Sequence, residues 1–108
     1  MEINKTRNNI LDALKKVIED RKKEYGYSDV RTLFESISEV KTDDFSLHYV
    51  EMGWDEDAAW MILMLKENND EYSFWKIPGW HNSYDGYIFE LENIYKTEKK
   101  QKIITYWR

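Results

Sequence analysis

The sequence predicts an α+β fold, with two N-terminal helices packed on an antiparallel meander sheet of four or five strands. Two observations lead there. Apolar residues recur at helical spacing up to residue 40 and at strand spacing from Phe45 onward. The later segments are joined by short turns, and a parallel crossover needs a dozen or more residues. A chain of 108 residues is close to the common domain size. One domain spanning residues 1–108, with a single core, is therefore expected.

Residues 6–25 read as an amphipathic helix, because Ile10, Leu11, Leu14, Val17 and Ile18 share one face. Thr6 is a candidate N-cap, and Gly26 a C′ residue. Lys15, Lys16, Arg21, Lys22 and Lys23 fill the outer face. Asp12–Lys16 and Glu19–Lys23 are i,i+4 pairs, which marks a solvated helix face rather than a binding patch. Residues 29–40 read as a shorter helix with the apolar stripe Val30, Leu33, Phe34 and Ile37. Ser28 or Asp29 can cap it.

From Phe45 the period changes. Phe45, Leu47 and Tyr49 alternate with Ser46 and His48, the pattern of a strand with one buried face. Gly53 to Asp57 reads as an acidic turn, and Ala59 to Leu65 as a central strand covered on both faces. Asn68-Asn69-Asp70 signals a hairpin turn. A third strand starts at Tyr72 and is expected to end at Pro78-Gly79. Tyr87 to Tyr95 reads as a fourth strand and Ile103 to Trp107 as a fifth, separated by a turn over Lys96–Lys102. Ile10, Leu14, Val17, Leu33, Phe34, Ile62 and Met64 are expected in the core.

Composition narrows the function classes. A hydrophobic content of 42%, with 16% aromatic, is that of a packed globular chain rather than a disordered tail. The absence of cysteine excludes disulfides, thiolate catalysis and cysteine-type zinc sites. The N-terminus lacks the apolar run of a signal peptide, and Ala58 to Leu65 is far short of the roughly 20 residues that span a bilayer. A soluble cytoplasmic protein without membrane contact is expected.

Charge is distributed unevenly. Residues 1–40 carry 8 acidic and 8 basic side chains, residues 41–95 carry 12 acidic and 3 basic, and residues 96–108 are net +4. The acidic segment also holds four of the five tryptophans. An acidic surface rich in aromatics disfavours nucleic acid and suits docking on a basic protein. The expected partner-binding residues are Asp55, Glu56, Asp57, Asp70 and Glu71 for charge, with Trp54, Trp80 and Tyr84 as anchors beside Asp85. The aromatics between Trp80 and Tyr87 can instead cover one end of the sheet, and the sequence leaves both readings open.

Catalytic patterns find little support. His48 and His81 are the only histidines, and combining them with Glu51, Asp55–Asp57 or Asp85 matches no metal-ligand spacing. No metal and no cofactor is expected. Ser83, a histidine and Asp85 supply the residue types of a hydrolase triad without a nucleophile elbow. Glu98-Lys99-Lys100 has the Glu-x-Lys form of a nuclease site but lies in a Lys-rich stretch that reads as an exposed turn. Tyr106, Trp107 and Arg108 can stack on bases, or form an edge strand with gatekeeping lysines that could pair in a homodimer.

The loop Gly79-x-x-x-Ser83-Tyr84-Asp85-Gly86, followed by Ile94-Tyr95, a Lys-rich turn and the segment Lys102 to Trp107, resembles a pattern of small phage and mobile-element proteins. It covers the C-terminal third. Such proteins often carry proline where this chain has Thr97-Glu98. A short, acidic, cysteine-free α+β chain is also similar to the anti-CRISPR class of phage inhibitors. The resemblance implies a non-enzymatic inhibitor acting on a nucleic-acid-handling protein in the host cytosol. An immunity or antitoxin-like protein, or a general interaction module, would use the same kind of face.

Overall fold

A computed structural model describes residues 3–26, 29–84, 86–100 and 106–107. The fold is α+β. Helix α1 (Ile3–Tyr25) and helix α2 (Val30–Ser36) precede a six-stranded antiparallel sheet. Its strands are β1 (Glu39–Lys41), β2 (Phe45–Asp55), β3 (Ala58–Glu67), β4 (Tyr72–Asn82), β5 (Gly86–Phe89) and β6 (Tyr95–Thr97). The first five lie in chain order, and β6 shares the outer edge of β4 with β5. A separate pair, β7 (Lys99–Lys100) and β8 (Tyr106–Trp107), is also antiparallel. The expected strand over Ile103–Trp107 is described only at this last pair, and its remaining residues lie outside the described ones.

The helices begin and end differently from the sequence expectation. Helix α1 already includes Thr6, which therefore is not the N-cap. Gly26 ends it as expected, with φ +86 and its N–H donating to the Lys22 carbonyl at 2.8 Å. Asp29 caps α2 through a capping box with Thr32, whereas Ser28 lies outside the described residues. The helix stops at Ser36 because Glu39–Lys41 joins the sheet as β1.

The core lies between the helices and one face of the sheet. Ile10, Leu11, Leu14 and Ile18 of α1 and Val30, Leu33 and Phe34 of α2 meet Leu47, Met61, Leu63, Leu65, Trp75 and Ile77. Val17 packs against this cluster from its margin. Ile62 is also fully buried, but on the opposite face, where its register neighbours are Glu51 and Lys76. Met64 shares that outer face and stays partly exposed, so it does not belong to the core cluster. The expectation for Met64 fails because alternation in β3 divides its apolar run between a helix-covered face and an open one.

Three turns fall elsewhere than expected. The acidic turn shrinks to residues 56–57, since β2 runs on to Asp55. It can do so because a bulge between Tyr49 and Glu51 shifts the phase, from Phe45, Leu47, Tyr49 to Met52, Trp54 on the helix face. Strand β4 continues through Pro78-Gly79. The Pro78 carbonyl accepts from the Glu90 N–H at 2.7 Å, so the proline nitrogen faces the gap between β6 and β5, where the ladder needs no donor. The strand expected over Tyr87–Tyr95 breaks at a 3-10 turn, Leu91–Asn93, and the expected Lys96–Lys102 turn gives way to β6 and β7.

Candidate functional site

The hairpin order sets which turns are neighbours. The β2–β3 turn and the β4–β5 turn lie at one end of the sheet, since Ala58 pairs with Trp80. The Asp57 carbonyl accepts from the His81 N–H at 2.8 Å and ties the two together. The β3–β4 turn lies at the other end, beside the β1–β2 turn. Strand β3 is 10 residues long, so the ends are roughly 30 Å apart.

The structure therefore brings Trp54, Asp55, Glu56, Asp57, Trp80 and Tyr84 to one end and places Asp70 and Glu71 at the other. The acidic face expected from the sequence is two separate surfaces. Asp85 lies outside the described residues.

At the first end the rings are exposed: Trp54 by 58%, Trp80 by 40% and Tyr84 by 96%. Trp54 and Trp80 flank the end from opposite faces of the sheet, because Trp54 aligns with Ala59 and Gly79 while Trp80 aligns with Ala58. Trp54 rests on His81 at 6.2 Å and Tyr87 at 5.7 Å, and Tyr87 stacks on Phe89. The Arg31 guanidinium of α2 lies 5.8 Å from the Tyr87 ring centre. The aromatic-rich stretch thus covers this end in part and leaves part of it exposed. His81 and Tyr87 support the end, while Trp80 and Tyr84 stand out of it.

The turn itself is strained. Glu56 has φ +56, a left-handed conformation that costs a non-glycine residue about 1–2 kcal/mol. Tyr84 is set by a local turn, its N–H donating to Asn82 Oδ1 at 2.9 Å. Gly79 anchors the pairing beneath them. A Cβ there would lie 2.0 Å from the Ile88 carbonyl oxygen, so only glycine lets β5 cross so closely.

The histidines do not converge. His48 is on the outer face, opposite Met64, and His81 on the helix face at the far end. Among the described residues no cluster of three or more metal-ligating side chains forms. Ser46 Oγ lies 2.9 Å from His48 Nε2, and Glu39 approaches the same nitrogen at 3.8 Å. A serine-histidine-acid relay needs its two partners on different ring nitrogens, and this arrangement does not supply that. Ser83 is exposed in the β4–β5 turn.

Sequence reasoning named Tyr87 among the aromatics covering this end and missed Arg31 and Phe89. Alternation of Tyr87 with Phe89 was a usable signal. Arg31 had none, because no periodicity registers a helix against a distant hairpin. No helix among the described residues is long and apolar enough to cross a membrane. The chain matches no protein-family model, no curated protein and no solved structure.

Proposed function

We propose that this protein is a non-enzymatic inhibitor of the phage or mobile-element type. It docks the Trp54, Asp55–Asp57, Trp80 and Tyr84 end on a basic groove of a nucleic-acid-handling protein in the host cytosol. The observation that supports this most is the grouping of three exposed rings around one acidic turn. Trp and Tyr dominate binding hot spots when a partner buries them. Carboxylates beside them can occupy the positions that phosphates take in a basic groove. Asp70 and Glu71, at the far end, contribute only long-range attraction.

The test is capture from host cytosol on the immobilised chain. Wild-type protein should retain a basic protein that excess duplex DNA displaces. Reversing Asp55, Glu56 and Asp57 to lysine, or replacing Tyr84 by alanine, should release it. Retention of the same protein by both variants would remove this end from the mechanism. So would a captured protein that is acidic and indifferent to DNA.

A further inference from the structure

We propose that the open edge of β2, from Val50 to Asp55, recruits an extended segment of the partner as an added strand, and that this segment alternates basic and large apolar residues. The inference rests on the docking reading above and supplies its mode.

The edge is open because β1 is short. It aligns only with Ser46, Leu47 and His48, and the Tyr49 N–H then donates to the Ser38 carbonyl at 3.0 Å. Beyond that point, among the described residues, β2 is paired on its β3 side alone. Six residues of main chain remain, about 20 Å of edge. An uncovered edge of this kind is a template for strand addition, with main-chain hydrogen bonds supplying affinity.

The two sides of the edge differ in chemistry. Glu51, Gly53 and Asp55 align with Ile62, Trp60 and Ala58 and share the outer face. Met52 and Trp54 align with Met61 and Ala59 and share the helix face. A strand laid here meets two carboxylates on one side and two large apolar side chains on the other. On the helix face a notch of about 100 Å³ opens between α2 and the edge, lined by Arg31, Phe34, Glu35, Tyr49, Met52 and Met61. It suits one apolar side chain of the incoming strand. The acidic side asks for lysine or arginine at alternate positions.

The same pattern argues against a second copy of this chain. Two β2 edges paired antiparallel about Gly53 would set Glu51 opposite Asp55 of the other copy, twice. Like charges directly opposed destabilise a strand pair.

The probe is a seven-residue peptide alternating lysine and leucine, capped at both ends and carrying a fluorescent label, with its fluorescence anisotropy as the readout. Two further peptides carry N-methyl groups on all lysine amides or on all leucine amides. Only one set of amides can face β2, so the two methylated peptides should differ in affinity by at least about tenfold. Glu51→Lys, which leaves Asp55 and the 56–57 turn intact, should weaken the unmodified peptide to a similar degree. Equal binding of both methylated peptides, or no binding of any, overturns strand addition. Loss of the captured host protein on reversal of Asp55–Asp57 would then still uphold the docking reading. Concentration-dependent self-association that the unmodified peptide competes away would make a second copy the occupant and also overturn the proposal.

Discussion

The two ends of the sheet carry similar charge and differ in what surrounds it. At the β1–β2 and β3–β4 end, side-chain hydrogen bonds tie the turns, although among the described residues the Asp43, Asp44 and Asp70 carboxylates take no part in them. Thr42 Oγ1 accepts from the Asp44 and Phe45 N–H groups, and Asn68 Nδ2 donates to the Asp43 carbonyl at 3.0 Å. Asn69 Nδ2 donates to Glu71 at 2.9 Å. Its exposed ring, Tyr72, leans edge-on against Phe74. At the other end, no ion pair or side-chain hydrogen bond among the described residues engages Asp55, Glu56 or Asp57. Three exposed rings stand beside them. Charge alone therefore does not distinguish the two ends. The number of exposed rings does, three beside Asp55–Asp57 against one beside Asp70 and Glu71.

The comparison breaks most visibly at Gly79. Gly79→Ala drives a Cβ into the Ile88 backbone and should cost about 3 kcal/mol or more, at the top of the overpacking range. Denaturant unfolding measures this. A loss below about 1 kcal/mol would mean that β5 does not press on β4 there. Next come the rings. Trp80→Ala or Tyr84→Ala should raise the off-rate of the captured partner by roughly 2 kcal/mol while changing stability little. Tyr72→Ala, at the opposite end, should leave binding unchanged, and equal losses at both ends would erase the distinction.

Glu56 and Asp70 offer a finer contrast, both having positive φ. Glu56→Gly should raise stability by up to about 1 kcal/mol, since glycine relieves the strain, yet weaken binding. Asp70→Gly should gain less, because aspartate tolerates that conformation better. Reversing Asp70 and Glu71 to lysine should slow association far less than reversing Asp55–Asp57, because salt screens charges beyond about 8 Å at physiological ionic strength. Stopped-flow rates across a salt series compare the two.

The smallest effect concerns Tyr49. Burial, and then the neighbouring Glu51 charge, raise its phenol above the usual pKa of 10.0. The unfolded chain ionises first as pH rises. Stability from this group is full below pH 10.0 and is lost as pH climbs toward the raised folded value. Unfolding titrations of the wild type should show this decline, and Tyr49→Phe should flatten it.

Much of the architecture was legible in the sequence. The stripe Ile10, Leu14, Ile18 and the alternation around Leu47 mark surfaces that can only be buried one way. The boundaries were less so. A bulge after Tyr49 hides the continuation of β2, because a phase shift looks like the end of a strand. Pro78-Gly79 reads as a stop until the gap between β5 and β6 is known. The candidate site was legible in residue type and not in place. Hairpin lengths decide which acidic turns become neighbours, and these separate Asp70 and Glu71 from Asp55–Asp57. Arg31 under the aromatic end belongs to tertiary packing alone.

Arg7 has a consequence for synthesis. From the second turn of α1 its guanidinium donates to the carbonyl of Ile94, at 2.8 Å, and to that of Glu92. A residue near the start of the chain is thus fastened to main chain 87 positions later. The Arg7 end of α1 cannot be fastened until residues 92–94 have left the ribosome. Most partners of its apolar stripe come earlier in the chain, so the Arg7 contacts are among the last of the helix's long-range contacts that can form. A truncation ending before Leu91 should therefore show faster amide exchange at the start of α1 than the chain of 108 residues.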